Sequence, residues 1–337
     1  MRVAIIGAGF SGLSLAWQLI DSGQCTVTLF DQKGIGAGAS GIAAGLMHPY
    51  PGKEGKRSFL ASEGIAATQR LLQIAKRKST GALANEQGII RFVHSEEMHS
   101  TFLAHAQDYG DVEPVALWGN QAFLIQSGMT IYCKQYLEGL WLSLKEKGVT
   151  FECKKVSDLK TLSSFDHIVL AAGAGNCSFE EVKGLRLELL KGQILQCKIP
   201  KDIPFPEQSL IGEGYIAHSE QQGMCYIGST YERGQYSDCP DRIKAEAELL
   251  PKSIHIHPQA HTFPILDCQA AFRVMRIGHY YPMAGKLKEN IWICTALGSR
   301  GLLYHGIVAE RMRDAILKND ISLLPQEFEL SFQRTDL

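Results

Sequence analysis

Apolar positions fall into two rhythms along this chain. Val3-Ala-Ile-Ile6 is an unbroken apolar run that ends in glycine, and from Ser11 to Ser22 the apolar positions Leu13, Ala16, Trp17 and Ile20 keep the spacing of one helix face. Cys25 to Phe30 is β-rich, so the first thirty residues predict strand, helix, strand. A long helix is expected from Arg57 to Lys78, with Phe59, Leu60, Ala67, Leu71, Leu72 and Ala75 on one broad face. A second is expected from Thr130 to Lys147, carrying Leu137, Leu140, Trp141 and Leu144. Gly88 to Val93 reads as a strand. Asp166 to Gly173 and Ile291 to Gly298 each read as a buried strand running into a glycine turn, the latter followed by a helix through Leu317. Between them, Gln193–Ile199, Tyr215–His218 and Met224–Ser229 alternate like antiparallel strands.

Parallel-type strands thus lie at both ends of the sequence and antiparallel ones in the middle. That order predicts an α/β fold with an α+β insert: a Rossmann-like cofactor domain, discontinuous in sequence (1–84, 130–185 and 282–337), and an inserted substrate domain (85–129 and 186–281) built on a mixed or antiparallel β-sheet. Val3 to Ile20 is also an uncharged stretch of membrane-span length, but Gly7, Gly9 and Gly12 interrupt it, so it is read as strand, turn and helix rather than a signal core or anchor.

Composition sharpens this picture in three ways. Glycine supplies 33 of 337 residues, and nine of these fall in the first 45. Charge nearly cancels, 34 Lys+Arg against 35 Asp+Glu, which disfavours a general nucleic-acid binder. One segment departs from that balance: residues 51–80 hold Lys53, Lys56, Arg57, Arg70, Lys76, Arg77 and Lys78 against Glu54 and Glu63. Nine scattered cysteines without a C-x-x-C pair suggest a reducing cytoplasm rather than a disulfide framework. His255-x-His257 with His261 invites a metal reading, but Pro258 interrupts it and no metal is expected. No G-x-S-x-G elbow is present.

The glycines mark the chemistry. Gly7-Ala-Gly9-Phe-Ser-Gly12 opens a helix directly after a strand, where Gly7 permits a tight turn, Gly9 lets backbone approach a pyrophosphate, and Gly12 allows close helix packing. Asp31, at the end of the second strand, is placed to accept hydrogen bonds from a ribose diol. This motif alone does not separate NAD from FAD. A second small-residue loop, Gly36-Ala-Gly-Ala-Ser-Gly41, and the glycine turn Gly298-Ser-Arg-Gly301 at a helix start suit the longer FAD, the turn aiming N–H groups and a dipole at the flavin N1/C2=O edge.

Together with Ala44-Gly45-Leu46 and Leu170-Ala-Ala-Gly173, these motifs resemble the D-amino-acid oxidase and glycine oxidase family of FAD-dependent oxidoreductases over nearly the whole chain. Within it, the Gly36–Gly41 loop with Gly45 and Pro49, Lys191-Gly-Gln193, Tyr226–Glu232 and Pro282-Met-Ala-Gly285 are most similar to the oxidoreductase module of a bifunctional tRNA 5-methylaminomethyl-2-thiouridine biosynthesis enzyme. The resemblance implies FAD held by Gly7, Gly9, Phe10, Ser11 and Gly12, by Asp31, Gln32 and Lys33, and by Ala39, Ser40, Ala44, Gly45 and Leu46. It extends that set to Val156, Ala172 and Gly173, and to Gly298, Ser299, Arg300, Gly301 and Leu302. It implies oxidation of a C–N bond by hydride transfer to flavin N5 followed by imine hydrolysis, on a small carboxylated amine.

Arg273 matches the family's carboxylate-binding arginine, with Arg276 the substitute if the match slips by three residues; Arg300 and Tyr215 are further candidates around the substrate. Two departures stand out. Asp31 replaces the family's frequent Glu, and Arg276-Ile-Gly-His279 carries glycine where the tRNA-modifying relatives have an Asp. His48 is read as a polar histidine beside the loop that touches the flavin ring. Two alternatives stay open: a carboxymethylaminomethyl group on a tRNA wobble uridine as substrate, for which the basic 51–80 segment would steer phosphates, and a flavin-binding subunit without its own catalysis.

Overall fold

The computed structural model describes residues 1–234 and 237–332. Two large sheets organise it. The first has six strands in the order β16-β17-β10-β1-β2-β9: Met283–Lys288 (β16), Ile291–Thr295 (β17), His167–Leu170 (β10), Arg2–Ile6 (β1), Thr26–Asp31 (β2) and Thr150–Cys153 (β9). Its strands are parallel except for β16, which turns back along β17 as an antiparallel edge. Both faces are covered, which is why β1, β10 and β17 read as continuous apolar runs. Val3, Ile5, Val169 and Trp292 enter a core shared with helices α1 (Phe10–Asp21), α3 (Ala61–Lys76), α5 (Cys133–Glu146) and α7 (Gly301–Lys318). Their neighbours Ala4, Ile6, Leu170 and Ile293 face the other way, onto Val156, Leu159, Phe179 and Val182.

The second sheet has eight strands, β15-β11-β14-β13-β12-β5-β7-β6: Ile265–Arg276 (β15), Leu187–Lys198 (β11), Met224–Gly228 (β14), Tyr215–His218 (β13), Ser209–Ile211 (β12), Ile89–Phe92 (β5), Asn120–Ile125 (β7) and Val112–Leu117 (β6). It is mixed, because β12 runs parallel to β5 while the other pairs are antiparallel. One face packs on α6 (Arg242–Ile254) through Leu195, Leu210, Ile216, Ile227, Ala245 and Leu249. Beyond the far strands, α4 (Glu96–Tyr109), capped by the Ser95 hydroxyl accepting from Met98 N at 3.2 Å, closes a small cluster with Tyr50, Phe102 and Phe123. A three-stranded sheet joins Leu46–Met47 (β3) and Ala84–Asn85 (β4) through Met129–Ile131 (β8), next to the short helix α2 (Ala39–Ile42).

Several expectations shift. The helix expected from Arg57 starts at Ala61, because Leu60 adopts a left-handed conformation (φ 50°) and Phe59 turns aside to pack edge-on against Tyr281 and Phe328. The helix expected from Thr130 starts at Cys133, since residues 129–131 pair as a strand. Strand β11 starts six residues earlier than the alternation suggested, held along its length by β15. The expected borders at 84/85 and 129/130 each cut a strand of the three-stranded sheet, so the chain passes there through paired backbone rather than a linker. Residues 333–337 of the segment 282–337, and residues 235 and 236 of the segment 186–281, lie outside the described residues. The uncharged run Val3–Ile20 is divided between β1 and α1, and among the described residues no helix is long and apolar enough to cross a membrane.

Candidate active site

A cleft of about 600 Å³ opens at the carboxyl ends of β1, β2, β10 and β17 and runs to the face of the eight-stranded sheet that is turned away from α6. This is where an open parallel sheet leaves free backbone groups for a ligand. Gly7, with φ 114°, makes the first turn; a Cβ there would lie 2.3 Å from the Ala171 carbonyl oxygen. Gly12 does not line the cleft. It sits behind the turn, where a Cβ would lie 1.8 Å from Gly7 O, and so sets how closely α1 approaches β1. Gly9 caps α1 without a side chain, leaving first-turn N–H groups for an anion, while Phe10 N donates to Ser40 Oγ at 3.1 Å.

Asp31 lines the cleft, and its carboxylate also organises it. Oδ2 accepts from Ala8 N (3.0 Å), and Oδ1 accepts from Lys33 N (2.8 Å) and Gly34 N (3.1 Å). The acid therefore ties β2 to the glycine turn before any ligand is considered. Gly36 N donates to Ala8 O at 2.9 Å, which lays the second small-residue loop beside the first. Gln32, Lys33, Ala39, Ser40, Ala44, Gly45, Leu46, Val156, Ala172 and Gly173 all line the cleft with Phe10 and Ser11. At its far end stand Gly298, Ser299, Gly301 and Leu302, opening α7. Thr295 Oγ1, on the cleft wall, is buried without a partner.

Arg300 is not part of the cleft lining. Its guanidinium lies 4.8 Å from the Tyr280 ring, while Gly298, Ser299 and Gly301 of the same turn line the cleft. Arg276 is also away from the cleft, donating to Glu327 O (2.8 Å) and Ser331 Oγ (3.2 Å). His257 is not free to join a metal set, its Nε2 lying 3.0 Å from Pro204 O, and among the described residues no group of three metal-ligating side chains assembles.

Arg273 and Tyr215 do come together, on the sheet side of the cleft. Two glycines on neighbouring strands make room for them: a Cβ at Gly192 would lie 2.0 Å from Arg273 Nη2, and one at Gly228 would lie 2.5 Å from the Tyr215 hydroxyl. Arg273 Nη2 donates to Ser229 Oγ at 2.8 Å, its guanidinium sits 4.7 Å from the Tyr231 ring, and Nη1 is buried with no partner. Burial pushes the Tyr215 phenol up to about 12 against the opposing pull of Arg273, so it remains a proton donor at neutral pH. Sequence reasoning missed Ser229, Tyr231 and Thr295. The signal was present in the Gly228-Ser-Thr-Tyr-Glu232 run, where a glycine facing a tyrosine across two strands is visible only once register is known.

A turn that excludes Cβ atoms, a helix start whose cap residue is a glycine and a second loop bonded to the first fit a pyrophosphate-linked dinucleotide, and the residues present fit FAD. Residues 2–315 match the family of FAD dependent oxidoreductases typified by D-amino-acid oxidase, and the chain belongs to that family. It is an FAD-dependent oxidoreductase. Among individual proteins, it is 25% identical over 371 residues to the tRNA 5-methylaminomethyl-2-thiouridine biosynthesis bifunctional protein MnmC of Marinobacter nauticus, covering 95% of this chain but 56% of that protein. The chain thus spans little more than half the length of that relative. It is 24% identical to a D-amino-acid oxidase of Rubrobacter xylanophilus over 292 residues, covering 81% of this chain and 82% of that one. Glycine oxidase from Geobacillus kaustophilus shares the fold, with a TM-score of 0.82 at 19% identity over 98% of both chains.

Proposed function

We propose that this protein oxidises the C–N bond of an amino acid or related carboxylated amine, and the observation that carries this reading is the unpartnered Nη1 of Arg273 in the cleft wall. A buried guanidinium nitrogen without an acceptor is costly unless a ligand supplies one, and a carboxylate is the matching anion. FAD, when bound, takes up the hydride released from the carbon next to nitrogen. The chain's own residues bind and orient. Arg273 holds the carboxylate, Ser229 fixes the guanidinium, and the Tyr215 hydroxyl donates to the same anion. With the carboxylate pinned, one C–H bond is presented to the cofactor, and alignment is the main demand of such a step. The imine that leaves is hydrolysed by water.

The glycine turn at 7–12 would hold the pyrophosphate, Asp31 Oδ2 a ribose hydroxyl, and the start of α7 the anionic edge of the reduced ring. Nine free cysteines, among them Cys294, whose thiol burial pushes up to about 11, support a reducing compartment such as the cytoplasm. The likeness to the tRNA-modifying relative keeps a uridine-borne amine as the second reading. Against it, four of the seven cations in 51–80 are paired: Lys56 with Glu54, Arg57 with Asp111, Arg70 with Glu310 and Lys78 with Glu146.

Anaerobic mixing of the FAD-loaded protein with glycine, sarcosine, proline and D-amino acids tests the reading through bleaching of the flavin spectrum. Arg273→Leu is expected to keep that spectrum and to weaken reduction by the active amines by about 100-fold, the scale of a lost charged contact and its buried remainder. Reduction by none of these amines, or unaltered reduction in the variant, overturns it. Bleaching only by tRNA carrying the modified uridine selects the second reading, and bleaching by neither selects a non-catalytic flavin subunit.

A further inference from the structure

The runs Lys191-Gly-Gln193 and Gly228-Ser-Thr-Tyr-Glu232 lie side by side. Strand β14 ends at Gly228 opposite Ile194, but the chain stays along β11: Thr230 N donates to Gln193 O at 3.1 Å, Lys191 N to Glu232 O at 3.0 Å, and Glu232 N to Lys191 O at 2.9 Å. Extended backbone sends successive side chains to opposite sides. Gly192, Ile194, Ser229 and Tyr231 line the cleft, whereas Lys191, Gln193, Thr230 and Glu232 do not; these four lie on the α6 side of the sheet with Leu195, each 7% exposed or less. The wall of the cleft that carries Arg273 therefore has a buried polar backing.

That backing is a set of hydrogen bonds around one carboxylate. Glu232 Oε1 accepts from Gln193 Nε2 (2.7 Å) and Thr230 Oγ1 (2.8 Å), and Oε2 accepts from Lys244 Nζ on α6 (2.6 Å). Thr230 Oγ1 in turn accepts from Gln193 N at 2.9 Å, and Gln193 Oε1 accepts at 2.6 Å from the backbone N–H of Asp241, the residue that caps α6. Lys191 Nζ donates to Cys239 O at 2.6 Å. Burial alone would raise the Glu232 carboxyl, but the donors from Lys244, Gln193 and Thr230 outweigh it and hold the group below the ordinary carboxylate range. Apolar residues would join strand to helix at less cost than a buried charge and its donors, so stability alone does not account for the network. On the cleft side of the same segment, Ser229 Oγ accepts from Arg273 Nη2 at 2.8 Å and the Tyr231 ring lies 4.7 Å from the guanidinium. Tyr231 is 58% exposed, so packing does not hold it there; the paired backbone at 230 and 232 does.

We propose that Glu232, held by Gln193 and Thr230, is a positioning residue for the carboxylate clamp: it fixes the 229–232 segment so that Ser229 and Tyr231 orient the Arg273 guanidinium with Nη1 left free for substrate. This inference rests on the reading of Arg273 as that clamp. Glu232 does not meet substrate, because its carboxylate lies behind the cleft wall, on the α6 side. Its influence runs through the backbone it shares with Tyr231 and through Gln193, which ties the start of α6 into the same frame. Without the carboxylate, Gln193 Nε2 and Thr230 Oγ1 lose their common acceptor, the segment is free to shift, and Arg273 loses its fixed partners on the cleft side.

Propionate, a carboxylate with no C–N bond to oxidise, reads the clamp through perturbation of the flavin band in the FAD-loaded protein. Glu232→Ala is expected to keep the flavin spectrum and to loosen propionate by about tenfold, the scale on which members of one hydrogen-bond network couple. In the Arg273→Leu background the same change is expected to cost nothing further. E232Q, which keeps the shape and an acceptor for Gln193 and Thr230, is expected to recover most of the lost affinity. With the best amine of the panel, KM in E232A is expected to rise in step with the propionate Kd while kcat stays near wild type, as for a contact made equally in ground state and transition state. Unchanged propionate binding in folded E232A, an equal loss with Arg273 present or absent, or a fall in kcat with KM unchanged overturns the positioning role and leaves the proposed function standing. Propionate binding that does not depend on Arg273 overturns both. Should E232A fail to fold, Lys244→Met, at a half-exposed position, strips one donor from the same carboxylate: a loss of about threefold that vanishes in R273L is expected, and no loss overturns the role.

Discussion

At Gly192 a single hydrogen atom in place of a side chain leaves the Arg273 guanidinium room to lie where it does. The space a Cβ would take is where Arg273 Nη2 lies, at 2.0 Å, and the atom in its way is the end of a flexible side chain. Gly192→Ala should therefore fold, but with the guanidinium pushed off Ser229. Loss of one oriented, charged contact is worth about 1.5–3 kcal/mol, so KM for the carboxylated amine should rise by about 10- to 100-fold while the oxidised flavin spectrum stays the same. Steady-state kinetics with the best amine of the panel checks this, and an unchanged KM would show that Arg273 does not meet substrate. The same residue shows how sequence and structure divide the work. Arg273 was legible as a candidate from its motif, but the glycine that accommodates it lies on another strand, and nothing local in Lys191-Gly-Gln193 announces that purpose.

Among the elements, those that carry the dinucleotide turn were the most readable. The β1–α1–β2 unit follows from a buried apolar run, a helical face and glycines that only a tight turn explains. Gly12→Val is expected to fail at this scale: its branched side chain would collide with the backbone of Gly7, which cannot give way as a side-chain end can. Purified G12V should come without flavin absorption and with a lowered Tm; a fully flavinated G12V would refute the packing argument. Less readable were elements whose limits are set by distant partners. Leu60 makes the long helix start late through contacts of its neighbour Phe59 with residues more than two hundred positions away, and β8 exists only because β3 and β4 flank it. The β6–β7 hairpin and the length of β11 were hidden for the same reason, since pairing and not composition defines them. Helical periodicity is local information; register is not.

For the whole molecule, buried histidines tie stability to pH. Burial lowers His305 to about 4 and, with help from two arginines, His48 to about 3; both belong in unfolded chain near the ordinary value of 6.5. Between these limits the unfolded chain binds more protons, so stability rises with pH there and is lost as pH falls from about 6.5 toward 4. Tm should fall between pH 7 and pH 5, and His305→Gln should flatten that fall. His305 Nε2 lies 2.7 Å from the Tyr136 hydroxyl and Nδ1 3.1 Å from Gly301 O, so the variant is also expected to lower Tm at pH 7. Thermal melts of both proteins across this range test it, and parallel pH profiles would contradict the assignment to His305.

The six-stranded sheet takes β1 and β2 from the start of the chain but β16 and β17 from beyond residue 280, and α7 covers α1 and α3. During synthesis, the first glycine turn emerges nearly three hundred residues ahead of its last neighbours and must wait for them. Its cradle is an unfinished surface during that time, with α1 and α3 uncovered on the side where α7 will lie. The cleft gains its full lining only once the start of α7 has docked, so a finished cleft marks a chain whose first and last strands share one sheet.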